Sequence, residues 1–219
     1  MIISKLCVRG DQMEISKVIE KLAGRQPEIL GHNQLLKYAV LLPLIEVQNE
    51  THVLFEVRSM SLRRQPGEIC FPGGKVDPDD LDQQQCAIRE TSEELGIHKE
   101  DIADVIPLDY MLLSTHNIIY PFIGTITEPK QIKPNLSEVG EVFTVPLSYF
   151  RKTKPRIHKI NFQIVPEEGF PFDLIIGGEN YQWQQRSVEE YFYQYDGKVI
   201  WGLTARILAH FLDLLELKN

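Results

Sequence analysis

Residues 72–97 read PGGKVDPDDLDQQQCAIRETSEELGI, and this stretch carries its own punctuation. Asp77 is a natural N-cap, Pro78 suits the first helical position, and Asp79 and Asp80 sit where the helix dipole favours negative charge. Asp77 and Asp80 also approximate a capping box, with Asp in place of the usual Glu. Gly96 is placed as the residue past the end. Together these signals predict a helix of about 18 residues, whose faces follow from a turn of about 100° per residue. Leu81, Ile88 and Leu95 share one stripe and are expected to face the core. Glu90, Glu93 and Glu94 gather on the opposite side, flanked by Cys86 and Ala87, whose small side chains let other groups approach.

Carboxylates at i, i+3 and i+4 repel one another by a few tenths of a kcal/mol per pair, so folding alone gains nothing from them. Hard divalent cations supply a reason: Mg²⁺ takes oxygen ligands and is typically held by one or two carboxylates plus substrate phosphates. The preceding loop, RRQPGEICFPGG over 63–74, fits that reading. Pro72 restricts one φ, while Gly73 and Gly74 allow positive φ and close backbone approach. Such a loop can bring backbone groups and Arg63 or Arg64 to a metal-bound phosphate.

Outward from this core, residues 11–23 show apolar positions at helical spacing with Gly24 behind them. Tyr38–Val47 is a dense apolar run, and His52–Arg58 alternates like a half-buried strand; together they predict an antiparallel pair. Strands are expected at Leu108–Leu113, Ile118–Ile126 and Val142–Val145. Asp196-Gly197, between Tyr191–Tyr195 and Lys198–Trp201, is a tight-hairpin signal. Thr204–Leu217 reads as an amphipathic helix, and residues 151–190 read as an insertion. Strands with helices interspersed irregularly point to α+β, a mixed sheet covered by helices. The expectation is a single domain over 1–219, with a helical extension at 1–35.

Composition narrows the function. The 219 residues are 43% hydrophobic and 25% charged, which excludes a disordered or low-complexity chain. A formal charge of −8 disfavours nucleic acid and anionic membrane as partners. Cys7, Cys70 and Cys86 form neither a paired framework nor a C-x-x-C knuckle, so a reducing, cytoplasmic location is expected. The sequence contains no H-E-x-x-H, no G-x-S-x-G and no P-loop pattern. The basic run Arg151–Lys159 reads as a solvated loop, with a role at a 3′-phosphate as the alternative. The aromatics between Phe170 and Tyr195 read as packing, with adenine stacking as the alternative.

At 72–97 the sequence resembles the Nudix hydrolase family, whose signature is G-x5-E-x7-R-E-U-x-E-E-x-G-U with U a bulky aliphatic. Arg89-Glu90-Thr91-Ser92-Glu93-Glu94-Leu95-Gly96-Ile97 matches the second half, with Thr91 at one aliphatic position. In the first half the spacing is one residue longer and Asp79 or Asp80 stands near the first glutamate. That departure is similar to the coenzyme A pyrophosphatase branch, which Gly73-Gly74-Lys75-Val76-Asp77-Pro78-Asp79-Asp80 also fits. The branch's upstream motif, L-L-T-x-T-(S/A)-x3-R-x3-G-x3-F-P-G-G, is met by Ser59, Arg63, Gly67, Phe71, Pro72, Gly73 and Gly74. Phe55, Glu56 and Arg58 replace its second leucine and both threonines, and are read as lying on a strand away from the loop.

The resemblance implies an α/β/α sandwich with a mixed sheet and hydrolysis of a diphosphate. For this branch the expected products of coenzyme A or its thioesters are 3′,5′-ADP and 4′-phosphopantetheine or its acyl form. It implies Mg²⁺ or Mn²⁺ held by Glu90 and Glu94, with Glu93 as a further ligand or an orienter of water. Arg89 is expected to hold a glutamate in place, Gly73 and Gly74 with Arg63 and Arg64 to meet substrate. The general base is open among Glu93, Glu138 and Glu141. Rival readings are the same chemistry on ADP-ribose or NADH, and a non-catalytic nucleotide-sensing regulator. The expected partner is a small nucleotide substrate, with a homodimer left open.

Overall fold

The structure, a computed structural model, describes residues 14–113 and 116–217; Cys7 and positions 11–13 of the expected first helix lie outside them. The chain divides into two compact units after Leu35. In the first, helix α1 spans Ile15–Leu22 and is followed by Gly24 at φ 77°.

The second unit opens on the expected antiparallel pair, β1 (Leu36–Val47) and β2 (Glu50–Arg58), turned by Gln48 and Asn49 at positive φ. The half-buried alternation expected for β2 does not hold, because Val53, Leu54, Phe55 and Glu56 are all buried. Both faces of the strand are covered. Leu54 packs with Leu41, Cys86 and Leu95, whereas Val53 and Phe55 pack with Leu42, Phe150 and Leu208. The two strands pair only where Leu44–Val47 meets Glu50–Val53, and then they part. The loop after β2 fills the gap: Ile69–Cys70 (β3) pairs with Glu56 and Val57, and Gly73–Lys75 (β4) pairs with Tyr38–Val40.

Helix α2 spans Gln83–Leu95, 13 residues, and starts later than its sequence suggests. Asp77 and Asp80 close a turn on each other instead of opening the helix, Asp77 N donating to Asp80 Oδ2 and Asp80 N to the Asp77 carbonyl. Asp82 is the N-cap, its carboxylate accepting from Gln85 N at 2.8 Å. Leu81 therefore precedes the helix and is 91% exposed, off the core stripe that Leu95 does occupy. Gly96 ends the helix as expected, at φ 61°, where a Cβ would lie 2.1 Å from the Lys133 carbonyl oxygen.

Strand β5 (Ile102–Pro107) and the short β6 (Met111–Leu112) replace the expected strand at Leu108–Leu113. An irregularity in register between Ala103 and Ile106, with Asp104 at φ 51°, disrupts the alternation that would have marked β5. Both strands pair antiparallel with β7 (Asn117–Ile126), which runs parallel to β1. Strand β8 (Val139–Pro146) flanks β2, so the sheet is mixed. Helix α3 (Leu147–Lys152) leads to a three-stranded sheet of β9 (Arg156–Phe162), β10 (Arg186–Tyr195) and β11 (Lys198–Trp201). The expected hairpin turn joins the last two, Asp196 and Gly197 both having positive φ. Helix α4 spans Gly202–Glu216.

Helix α2 covers the face of Ala39, Leu41 and Leu54 through Cys86, Ala87 and Leu95. Helix α4 covers the other face, its Ala205, Ile207, Leu208 and Phe211 packing with Leu42, Val53, Phe55 and Ile119. The architecture is the expected α+β sandwich on a mixed sheet. No helix among the described residues is long and apolar enough to cross a membrane.

Moving the cap from Asp77 to Asp82 has a measurable consequence. Asp82→Ala is expected to cost about 1 kcal/mol and lower the thermal midpoint by ~2–4 °C, while Asp77→Ala changes stability by less than about 0.5 kcal/mol. Equal losses in thermal denaturation of the two variants would return the cap to Asp77.

Candidate active site

The parting of β1 and β2 sets up the site. Gly73, in the loop that fills the gap, has φ 155°, and a Cβ there would lie 2.4 Å from the Ala39 carbonyl oxygen. Its amide is aimed at α2 and donates to Glu94 Oε2 at 2.8 Å. A Cβ on Gly74 would lie 2.3 Å from the carboxyl carbon of Glu90. The two glycines thus let the β4 backbone approach both carboxylates. The acidic face of α2 is not the uniform outer flank that its helical angles suggest. Glu94 is buried, Glu90 half-buried and Glu93 exposed, because β4 lies along one side of the helix.

Arg89 organises the open side. Its Nε and Nη2 donate to the two oxygens of Asp80, each at 2.9 Å, and its Nη1 donates to Glu90 Oε1 at 2.9 Å. This bidentate geometry is the strong, directional form of an arginine–carboxylate pair. It holds the Asp80 carboxyl well below the usual carboxylate range and raises the Arg89 pKa in turn. Glu93 Oε2 lies 3.4 Å from Arg89 Nη1, at the solvent edge.

Two charged residues read as distant from the loop belong to this site. Leu54, Glu56 and Arg58 share one face of β2, and Glu56 is 1% exposed with no hydrogen-bond partner for Oε1. Burial, then the nearby charge of Glu94, push the Glu56 pKa well up, opposed by Arg58. Glu94 is pushed up to about 7, by burial first, with Glu90 and Glu138 adding to it and the Gly73 amide and Arg58 opposing. Glu90 is raised by burial too, against the pull of Arg89. The signal available in the sequence was a pair of charges at alternate positions inside an apolar strand.

Glu138 reaches the same place through backbone contacts. Segment 133–138 docks on the end of α2, Lys133 N donating to the Leu95 carbonyl and Asn135 N to that of Glu94. Ser59 N then donates to the Glu138 carbonyl at 2.7 Å. A cleft of about 770 Å³ collects Glu90, Glu94 and Glu138 on its walls together with Arg58, Arg64 and Arg206. Gly73 and Gly74 line it as well, whereas Arg63, Arg89 and Glu93 do not. The structure also separates Glu141 from the cleft: Lys198 Nζ donates to both its oxygens at 2.8 Å, and it lines a different cavity. Arg206, on α4, was missed because only the tertiary fold brings it here; Thr204 Oγ1 donating to the Ile69 carbonyl ties that helix to the loop. Cys70 lines the cleft too, but burial and the charges of Glu56 and Glu94 push its pKa up to about 12, which keeps it a thiol.

No group of three or more His, Cys, Asp or Glu side chains among the described residues is gathered so as to hold a metal ion as it stands. The trio Glu90, Glu93 and Glu94 is therefore not one cluster. Its members turn to Arg89 and to the Gly73 amide. In chemistry the donor set suits Mg²⁺ or Mn²⁺: oxygens only, partly dehydrated, with pKa values raised by burial first and by neighbouring carboxylates after it.

A mixed-sheet sandwich with a glycine loop laid against an acidic helix defines a phosphate-processing class. The NUDIX domain model matches residues 36–167, more than half of the chain, and the chain belongs to that family. It is 42% identical over 114 residues to the peroxisomal coenzyme A diphosphatase NUDT7 of Mus musculus, covering 52% of this chain and 48% of that protein. It is 39% identical to the mitochondrial coenzyme A diphosphatase NUDT8 of the same species, over 53% of this chain and 57% of that one. The chain thus spans about half the length of these two relatives. With the uncharacterized Nudix hydrolase NudL of Photorhabdus laumondii it shares 32% identity over 78% of this chain and 80% of that protein. A MutT/nudix family protein from Enterococcus faecalis superposes with a TM-score of 0.48 at 15% identity, over 94% of this chain and 71% of that one.

The raised carboxyls make stability depend on pH. Without divalent ions the folded chain keeps a proton on Glu94 up to about pH 7, whereas the unfolded chain releases it near the ordinary 4.5. The stabilisation is complete at low pH and is lost as pH rises through the folded value. The thermal midpoint is expected to fall between about pH 5 and about pH 8, and Glu94→Gln to flatten that fall. Identical slopes for both proteins would contradict the burial assigned to Glu94.

Proposed function

We propose that this chain hydrolyses the diphosphate bond of coenzyme A or its thioesters, giving 3′,5′-ADP and 4′-phosphopantetheine or an acyl derivative. The observation that carries this reading is the composition of the cleft, where Glu90, Glu94 and Glu138, with Glu68 and Glu190 further along the wall, meet Arg58, Arg64 and Arg206. A wall of acids repels a diphosphate unless a cation stands between them, and the arginines suit the phosphate oxygens. The likeness to the coenzyme A diphosphatases NUDT7 and NUDT8 supports coenzyme A as the substrate.

In this proposal Glu90 and Glu94 hold Mg²⁺ or Mn²⁺, with Glu56 behind them and Glu93 at the solvent edge. A divalent ion here supplies charge neutralisation to the diphosphate and acidity to a bound water. The chain's own residues do the rest. Gly73 and Arg89 fix the carboxylates from opposite sides, and Arg58, Arg64 and Arg206 orient the phosphates. Of the three candidate bases, Glu138 lines the cleft, Glu93 does not and Glu141 is paired with Lys198. Glu138 is the group we assign to accept the proton of the attacking water.

A second reading, the same hydrolysis on ADP-ribose or NADH, draws on one observation. Glu56 and Arg58 occupy the two threonine positions of the coenzyme A motif, and Arg58 lines the cleft. The cytoplasmic location expected from the sequence stays within this proposal, supported by the free thiols Cys70 and Cys86.

Mass spectrometry after incubation with coenzyme A and Mg²⁺ in ¹⁸O-water tests the first reading. Both products are expected, with ¹⁸O in one of them and no turnover in EDTA. Glu90→Gln and Glu94→Gln should each lower kcat at least about a hundredfold with unchanged circular dichroism, and Glu138→Gln about as much. Comparable kcat/KM values for ADP-ribose or NADH would move the assignment to the second reading. Full activity in either helix variant at saturating metal would remove the site.

A further inference from the structure

A second cavity, of about 550 Å³, shares Glu68, Ile69 and Trp201 with the cleft, so the two adjoin along one wall. The chemistry proposed above leaves it without a role. Its lining comes from the β10–β11 hairpin, β2 and the loop before β3. Trp201 is 39% exposed, and its indole stacks on Phe192 at an interplanar angle of 9° with ring centroids 5.9 Å apart. Val57, Pro66 and Val199 add apolar lining. Glu68, on the wall shared with the cleft, and the pair Lys198 and Glu141 supply the charged lining. The ammonium donates to both carboxylate oxygens and stands 4.6 Å from the centroid of the Phe143 ring, which holds it in place.

These features select a flat, aromatic guest. An indole braced by a second ring is a stacking platform for any nucleobase. A carboxylate and an ammonium side by side present an acceptor next to a donor, the complement of the adenine edge that carries the N6 amino group and N7. A flexible amide arm such as pantetheine would draw little from either.

We propose that this cavity is the nucleobase subsite: the adenine of the substrate stacks on Trp201 with its amino edge toward Glu141 and Lys198. The inference rests on the proposed function only in placing the diphosphate in the adjoining cleft. Adenine is common to coenzyme A, ADP-ribose and NADH, so the subsite does not depend on which of them is hydrolysed.

The chain has two tryptophans, Trp183 and Trp201, so Trp183→Phe leaves Trp201 as the sole indole emitter. Titrating that variant with ADP and with 3′,5′-ADP should quench its emission to saturation. By calorimetry Trp201→Ala should weaken both ligands about tenfold or more, with 4′-phosphopantetheine binding unchanged, and Trp201→Phe should restore most of the loss. Absence of quenching, or wild-type affinity in Trp201→Ala, would overturn the subsite. Should Trp201→Ala fail to fold, the quenching titration decides alone. Quenching by ADP in a protein that leaves coenzyme A intact would uphold the subsite and reject the coenzyme A reading.

Discussion

A carboxylate taken out of water needs compensation, and Glu94 imposes that requirement on everything around it. The Gly73 amide provides one hydrogen bond, and it can do so only because β1 and β2 part after four residue pairs and leave room for the loop. Glycine is needed there for a physical reason: any side chain would enter the β1 backbone at Ala39. The next residue is constrained by its partner, since a Cβ on Gly74 would displace the Glu90 carboxylate. The loop and the helix are therefore one device, with backbone on one side and acid on the other.

Charge balance around that device is incomplete by construction. Arg89 is committed to Asp80 and Glu90, which leaves the neighbouring Glu56 and Glu94 to be offset by Arg58 and, for Glu94, by the Gly73 amide. Burial first, then the neighbouring carboxylates, raises the pKa of Glu56, Glu90 and Glu94, and positive charge placed beside them would offset that cost. The arginines on the cleft wall come from two distant parts of the chain, Arg58 and Arg64 from β2 and its loop and Arg206 from α4, which suits a substrate that brings negative charge to the same place.

Much of this was legible locally. The glycine pair, the helix stop at Gly96 and the Asp196-Gly197 hairpin are short-range patterns, and each stands where its spacing implied; the acidic spacing put Glu90, Glu93 and Glu94 on α2 but not into one environment. Other signals were misleading for equally local reasons. Asp77 and Asp82 are both competent caps, and the choice between them turned on Arg89 taking Asp80 out of the helix. Strand β5 was hidden by an irregularity that interrupts its alternation.

The sequence by itself determined that an acidic helix follows a glycine turn, because caps, turns and helical spacing act within a few residues, and the motif those residues spell carried the family resemblance. Only the tertiary structure decided which acids share the site. Glu138 enters it because its carbonyl is bonded to Ser59, and Glu141, three residues on, leaves it for Lys198. Glu56 becomes a buried charge because both faces of β2 are covered, one by α2 and the other by α4. Burial and long-range pairing are properties of the assembled sheet, and a local pattern carries neither.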